Sequence, residues 1–160
     1  MGKVIREFIT GFPGAVSRST DNVIISLRND GDVPIPFGAP VFHAPGDTAC
    51  RLFDAETSTQ AAFLGFAVRA ADKAPDVWGE SEAAFAPNDP VDVLVRGSTV
   101  LNFAGTTAPG SSVYIRKSDG SIVSSPGGEG TTLQLPNVTV RSTRDSQNRA
   151  EVVLTRRNLM

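Results

Sequence analysis

In the stretch from Pro90 to Arg116 apolar side chains alternate with polar ones, a period that suits an extended strand and does not suit a helix. Val91, Val93 and Val95 fall on one face of such a strand. Arg96-Gly97-Ser98 reads as a tight turn, after which Val100, Leu101 and Phe103 form a second run able to fold back as a hairpin. Ala108-Pro109-Gly110 makes the next corner, and Val113 and Ile115 begin a third strand that ends at Asp119-Gly120. A meander of this kind does not bury its own apolar face. Further strands must cover it or close it into a barrel.

The rest of the chain supplies them. Phe12-Pro13-Gly14 is a turn, Val23-Ile24-Ile25 is β-prone, and Asn29-Asp30-Gly31-Asp32 is a second turn. Pro34, Pro36 and Pro40 exclude a central strand across that stretch, and Val41-Phe42 resumes one. Residues 47–64 lack glycine and proline, yet Thr57-Ser58-Thr59 is poor helix material. A strand near Cys50–Phe53, a loop and a strand near Phe63–Arg69 fit better. Residues 70–88 read as a long loop carrying Trp78. Pro126–Gly130 is a flexible stretch, and separate short strands follow at Leu133–Leu135, Val138–Val140 and Val152–Leu154.

Strands recurring at intervals of about 8 to 12 residues predict an all-β barrel or sandwich. The division expected is an extended N-terminal arm with a first strand over residues 1–32 and a single domain of short antiparallel strands, barrel or jelly-roll-like, over 33–160.

Charge and cysteine content narrow the function classes. With 15 basic and 17 acidic residues, no field draws the molecule to nucleic acid or an anionic membrane. Cys50 is the single cysteine, which rules out an intrachain disulfide. The apolar residues near the N-terminus are broken by Lys3 and Arg6, unlike a signal peptide, and no run is long enough to span a bilayer. A soluble protein made in a cytoplasm is expected.

Residues able to do chemistry are scattered. His43 is the single histidine, and with Cys50 and nearby Asp47 and Asp54 it shows no zinc-ligand spacing and no nucleophile elbow. Gly127, Gly128 and Gly130 lack the Lys-Ser or Lys-Thr of a phosphate loop. Glu80, Glu82, Asp89 and Asp92 could be posed as a glycosidase pair, but Asp92 falls on the solvent face of an alternating strand and reads as a solvated acid, and Trp78 with Tyr114 makes a thin aromatic platform. No metal, cofactor or catalytic residue is expected. By contrast Phe8, Ile9 and Phe12 are large apolar residues in a segment with little means of burying them itself.

The order of several segments resembles the structural cement, or head decoration, proteins of tailed bacteriophages. The segments are Pro13-Gly14, Ile35-Pro36-Phe37-Gly38, Phe63-Leu64-Gly65-Phe66-Ala67-Val68, Val91-Asp92-Val93-Leu94-Val95-Arg96-Gly97, Ala108-Pro109-Gly110-Ser111-Ser112-Val113-Tyr114-Ile115 and Ala150–Leu154. The resemblance implies a β-barrel with an extended arm, located on the capsid exterior. It implies a protein that stabilises the head by bridging neighbouring major capsid subunits, with no catalysis. Its partners would be the major capsid protein and further copies of itself, a trimer ahead of a dimer, with neither nucleic acid nor membrane. Capsid contacts are expected at Phe8, Ile9, Phe12, Pro13, Arg18, Ile24 and Arg28, and subunit contacts along exposed strand edges. The alternatives are a neck, tail or minor head component, and a carbohydrate-binding β-sandwich using Trp78 and Tyr114.

Overall fold

The run Pro90–Asn102 is one continuous strand, not the hairpin that Arg96-Gly97-Ser98 suggests. Gly97 takes a φ of 126°, a left-handed region that favours glycine, and the strand bends there without reversing. The expected turn is therefore a bend within one strand and not a reversal of direction. A bulge uses the same residues as a turn.

In the computed structural model, which describes residues 10–46, 48–70 and 84–158, the strands are β1 (Val16–Asn29), β2 (Ile35–Pro36), β3 (Pro40–His43), β4 (Ala49–Leu52), β5 (Phe63–Ala67), β6 (Ala84–Phe85), β7 (Pro90–Asn102), β8 (Ser112–Arg116), β9 (Ile122–Val123), β10 (Thr132–Val140) and β11 (Arg149–Leu154). Residues 47–64 hold β4, a short 3₁₀ turn at Gln60–Ala62 and the start of β5, as strand-loop-strand reading requires. Leu133–Leu135 and Val138–Val140 belong to one strand, β10, which passes through Pro136 and through Asn137 at φ 62° with a shift of register.

The main sheet runs β1-β4-β3-β5-β7-β11-β10-β8-β9, and β1 pairs a second time, with β7. That extra pairing closes β1, β4, β3, β5 and β7 into a five-stranded barrel, so the all-β barrel expectation holds. The sheet is mixed rather than wholly antiparallel, because β1 meets β4 in parallel at Arg28 opposite Ala49 and Asn29 opposite Cys50. Closure removes most of the free edges that an open sheet would present. The predicted boundary at residue 32 falls in the turn after β1, whose 14 residues are part of the barrel wall.

β7 serves two cores. Its first half turns Val91, Val93 and Val95 into the barrel, where they meet Val41, Leu64 and Cys50 together with Ile35 and Phe85 from the small β2–β6 sheet. Leu94 and Leu101 face the other way, into a core shared with β8, β10 and β11. β5, between the two cores, is buried along its whole length. In the second core Phe53, Phe42, Phe63 and Phe66 form a chain of tilted and edge-on ring contacts at 5.4–5.8 Å. Burying each such ring contributes about 1.5–3 kcal/mol before the cost of ordering it.

Candidate functional site

Four large apolar residues stand exposed among the described residues: Phe12 (56%), Val23 (37%), Ile24 (45%) and Val33 (52%). All lie between residues 12 and 33, on or beside β1. Local chemistry explains how the chain presents them. Phe12-Pro13-Gly14-Ala15 is a turn closed by the Ala15 N–H on the Phe12 carbonyl at 3.0 Å, and Gly14 at φ 76° occupies the position that type II turns reserve for glycine. A Cβ on Gly14 would lie 2.7 Å from the Gly38 nitrogen, so the turn seats flat against the body. Phe12 projects from it between two guanidinium groups, Arg69 at 5.0 Å and Arg149 at 5.1 Å from the ring centre. The ring face attracts both cations.

Further along, β1 leaves its partner. Arg18 lies opposite Ser98 and Val23 opposite Arg96, so the residues between them bulge out across from Gly97. The Asn22 side-chain amide donates back to the Arg18 carbonyl, and Arg96 holds Asp21 at 2.6 Å across the gap. Beyond the bulge, Ile24, Ser26 and Arg28 point outward while Leu27 and Asn29 point in. Ser26 donates to Asp92 at 2.6 Å, which gives that acid a structural partner. On the edge away from β7, β1 is paired at Arg28 and Asn29 alone among the described residues. Exposed apolar side chains therefore sit beside an open strand edge.

Two carboxyls tie this segment to the β10–β11 end of the body. Burial opposes the charge on Asp145, but the N–H groups of Thr10, Arg149 and Gln147 donate to it and hold its pKa below the ordinary carboxylate range. Glu151 is likewise opposed by burial and more than compensated by bonds from Arg18 at 2.8 Å and Ser17 at 3.0 Å. Both groups bind protons less readily folded than unfolded. The stability they lend is complete above about pH 5 and drains away below about pH 4. Thermal unfolding followed from pH 7 to pH 3 is expected to show a falling midpoint, with a shallower fall in Asp145→Asn.

Reactive groups are quiet by comparison. Burial first, and the charge of Asp30 second, push the Cys50 thiol up to about 12, the state of an inert core thiol. His43 ends β3 opposite Cys50 in the β3–β4 register. No group of three or more His, Cys, Asp or Glu able to hold a metal ion occurs among the described residues. Tyr114 lies in β8, whereas Trp78, Asp47, Glu80 and Glu82 lie outside the described residues.

Of the contact residues expected from sequence, Phe8 and Ile9 lie outside the described residues. Phe12, Arg18, Ile24 and Arg28 are exposed and Pro13 is half-buried, at positions running along the chain from the first turn to the end of β1. Arg18 and Arg28 are already engaged at home, by Glu151 and by Asp30 at 2.6 Å. Sequence reasoning missed Val23, Val33 and the two arginines that clasp Phe12. Val23 belongs to a visible apolar triplet. Nothing local marks Arg69 or Arg149, which come from β5's exit and from β11.

A groove of about 1000 Å³ opens next to the Phe12 turn, where barrel residues face the β8–β9 turn and the start of β11. Phe37, Leu52, Phe53 and Phe103 line it, with Lys117 and Arg149 at its walls.

This fold occurs in phage capsids. A chain from the capsid of Myoviridae phage XM1 superposes with a TM-score of 0.73 at 14% identity, over 98% of this chain and 96% of that one. The head fibre gp8.5 N base of bacteriophage phi29 is more distantly similar, with a TM-score of 0.44 at 11% identity over 86% of this chain and 99% of that one. No curated protein matches the sequence. A family model described as "Structural cement protein (E217 gp24/Pam3 gp6)" matches residues 3–155, and the chain belongs to that family. It is a cement protein of a phage capsid, a structural component of the virion that binds capsid proteins.

Proposed function

We propose that the chain binds the outside of the assembled head and bridges neighbouring major capsid subunits through the strip that runs from Phe12 to Arg28. The observation behind this is that, among the described residues, the exposed large apolar side chains all fall at positions 12–33, with Phe12, Val23 and Ile24 on the strip itself. Phe8 and Ile9 extend the same apolar sequence toward the N-terminus. Arg18 and Arg28, held by Glu151 and Asp30, fix the strip's shape and leave remaining donors for a partner's carbonyls. The open edge of β1 suits a second copy, in a trimer ahead of a dimer. The role is structural rather than catalytic, and the protein is made in the host cytoplasm before it joins the virion.

Many copies on one shell add their contacts, so a modest loss per contact becomes a large loss of retention. Ile24→Asp removes an apolar anchor worth about 1.5–3 kcal/mol when fully buried and puts a charge in its place. Bare shells mixed with this variant are expected to sediment with far fewer copies than with the unaltered chain, although the variant melts at the same temperature in isolation. Equal decoration would remove Ile24 from the interface. Bare and decorated shells that withstand heat equally would remove the stabilising role.

A further inference from the structure

We infer that the groove beside Phe12 receives an extended acidic segment of the major capsid protein carrying at least one apolar or aromatic side chain. The inference rests on the capsid-binding role and names the chemistry of the contact. The floor of the groove is apolar, from Phe37, Leu52, Phe53 and Phe103. Its margin is cationic. Lys117 and Arg149 line the walls, and Arg69 lies 5.4 Å from the centre of the Phe37 ring. Among the described residues none of these three cations has a carboxylate within ion-pair distance.

Arg18, Arg28, Arg96 and Arg116 each hold a carboxylate, whereas among the described residues Arg69, Lys117 and Arg149 keep their charge free beside the groove. The one acid among the lining residues, Asp119, is spent on Arg116 and on the N–H of Ser121. Arg69 and Arg149 are held against Phe12 by its ring face, which orders them before a partner arrives. A guanidinium fixed in this way offers its outer N–H pair to a carboxylate with less entropy left to lose.

The chain's own N-terminus is the obvious rival occupant, since Thr10 is anchored on Asp145 and Arg149 close to one end of the groove. Its charge is wrong. Residues 1–9 carry Lys3 and Arg6 against a single acid, Glu7, and like charges repel at such a margin. An acidic partner segment matches both the floor and the rim.

The test uses the full chain on bare capsid shells, with a photo-cross-linking residue placed at Ser118 or, separately, at Ala55, both of which line the groove. The expected product joins this chain to one segment of the major capsid protein that contains Asp or Glu together with an apolar residue. In parallel, Lys117→Glu combined with Arg69→Glu is expected to weaken shell binding about tenfold in 0.1 M salt, and the difference should shrink as salt rises. If the unaltered chain does not bind shells, the capsid-binding reading itself fails. If it binds, a cross-link to residues 1–9, to another copy, to a capsid segment without carboxylates, or to nothing overturns the groove assignment, as does full binding by the charge-reversed variant.

Discussion

Gly65→Ala is expected to lower the melting temperature by roughly 6–12 °C, the equivalent of about 3 kcal/mol in a chain of this size. The reason lies in how β5 crosses the long strand β7. Phe42 pairs with Phe63 and Val41 with Gly65, so two residues of β5 answer one step of β3, and the bulge turns Phe63 and Phe66 to the same core. At that bulge the backbones come too close for a side chain. A Cβ on Gly65 would fall 1.9 Å from the carbonyl oxygen of Leu94 and 2.8 Å from its carbon. The obstacle is main chain, bonded into the barrel, and no rotamer change relieves it. Either β5 moves off β7 and opens the ring, or both cores lose contact along the seam. Gly128→Ala is the control, because its nearest neighbour would be 3.9 Å away and its φ is not left-handed. That variant should melt with the unaltered chain or slightly above it. A Gly65→Ala protein with an unchanged midpoint would mean that the two strands do not approach as described.

Gly65 also shows which parts of this fold were readable. Period-two alternation placed Val91, Val93 and Val95 on one face correctly, since the period depends on neighbours two residues away. Closing the barrel depends on pairings such as Arg28 with Ala49, between short, unremarkable segments, and no local signal announces a parallel contact. Gly97 and the pair Pro136 and Asn137 were read as strand ends, because a bulge and a turn need the same backbone freedom. The contact strip was legible in part for a physical reason. Phe12 and Ile24 are apolar residues that local sequence gives nothing to bury against, whereas the partner of Arg18 is 133 residues away and the cations around Phe12 come from the segment after β5 and from β11.

The second large effect is expected at Asn29, the residue that ends β1. Its side chain is 1% exposed and all of its hydrogen-bonding capacity is directed at backbone. The amide nitrogen donates toward the carbonyls of Val33 at 3.0 Å and of Phe85 and Ala86 at 3.3 Å, while the oxygen accepts the Gly31 N–H at 3.1 Å. Three segments meet there: the turn after β1, the end of β6 and the approach to β7. Asn29→Ala leaves those carbonyls and one N–H facing a void with no partner, a loss of about 3 kcal/mol. Asn29→Asp separates this cause from simple loss of volume. The shape is kept, but a carboxylate cannot donate, and its charge faces carbonyl oxygens in a buried site. Its pKa must rise on folding, so the deficit of the Asp variant should be greatest at neutral pH and should narrow, relative to the unaltered chain, as the pH falls and the carboxyl regains a proton. A deficit that does not change with pH would point to packing instead. Because the outward positions of Ile24 and Arg28 are counted from this anchored end of β1, a variant that loosens Asn29 should also lose shell binding before it loses its fold.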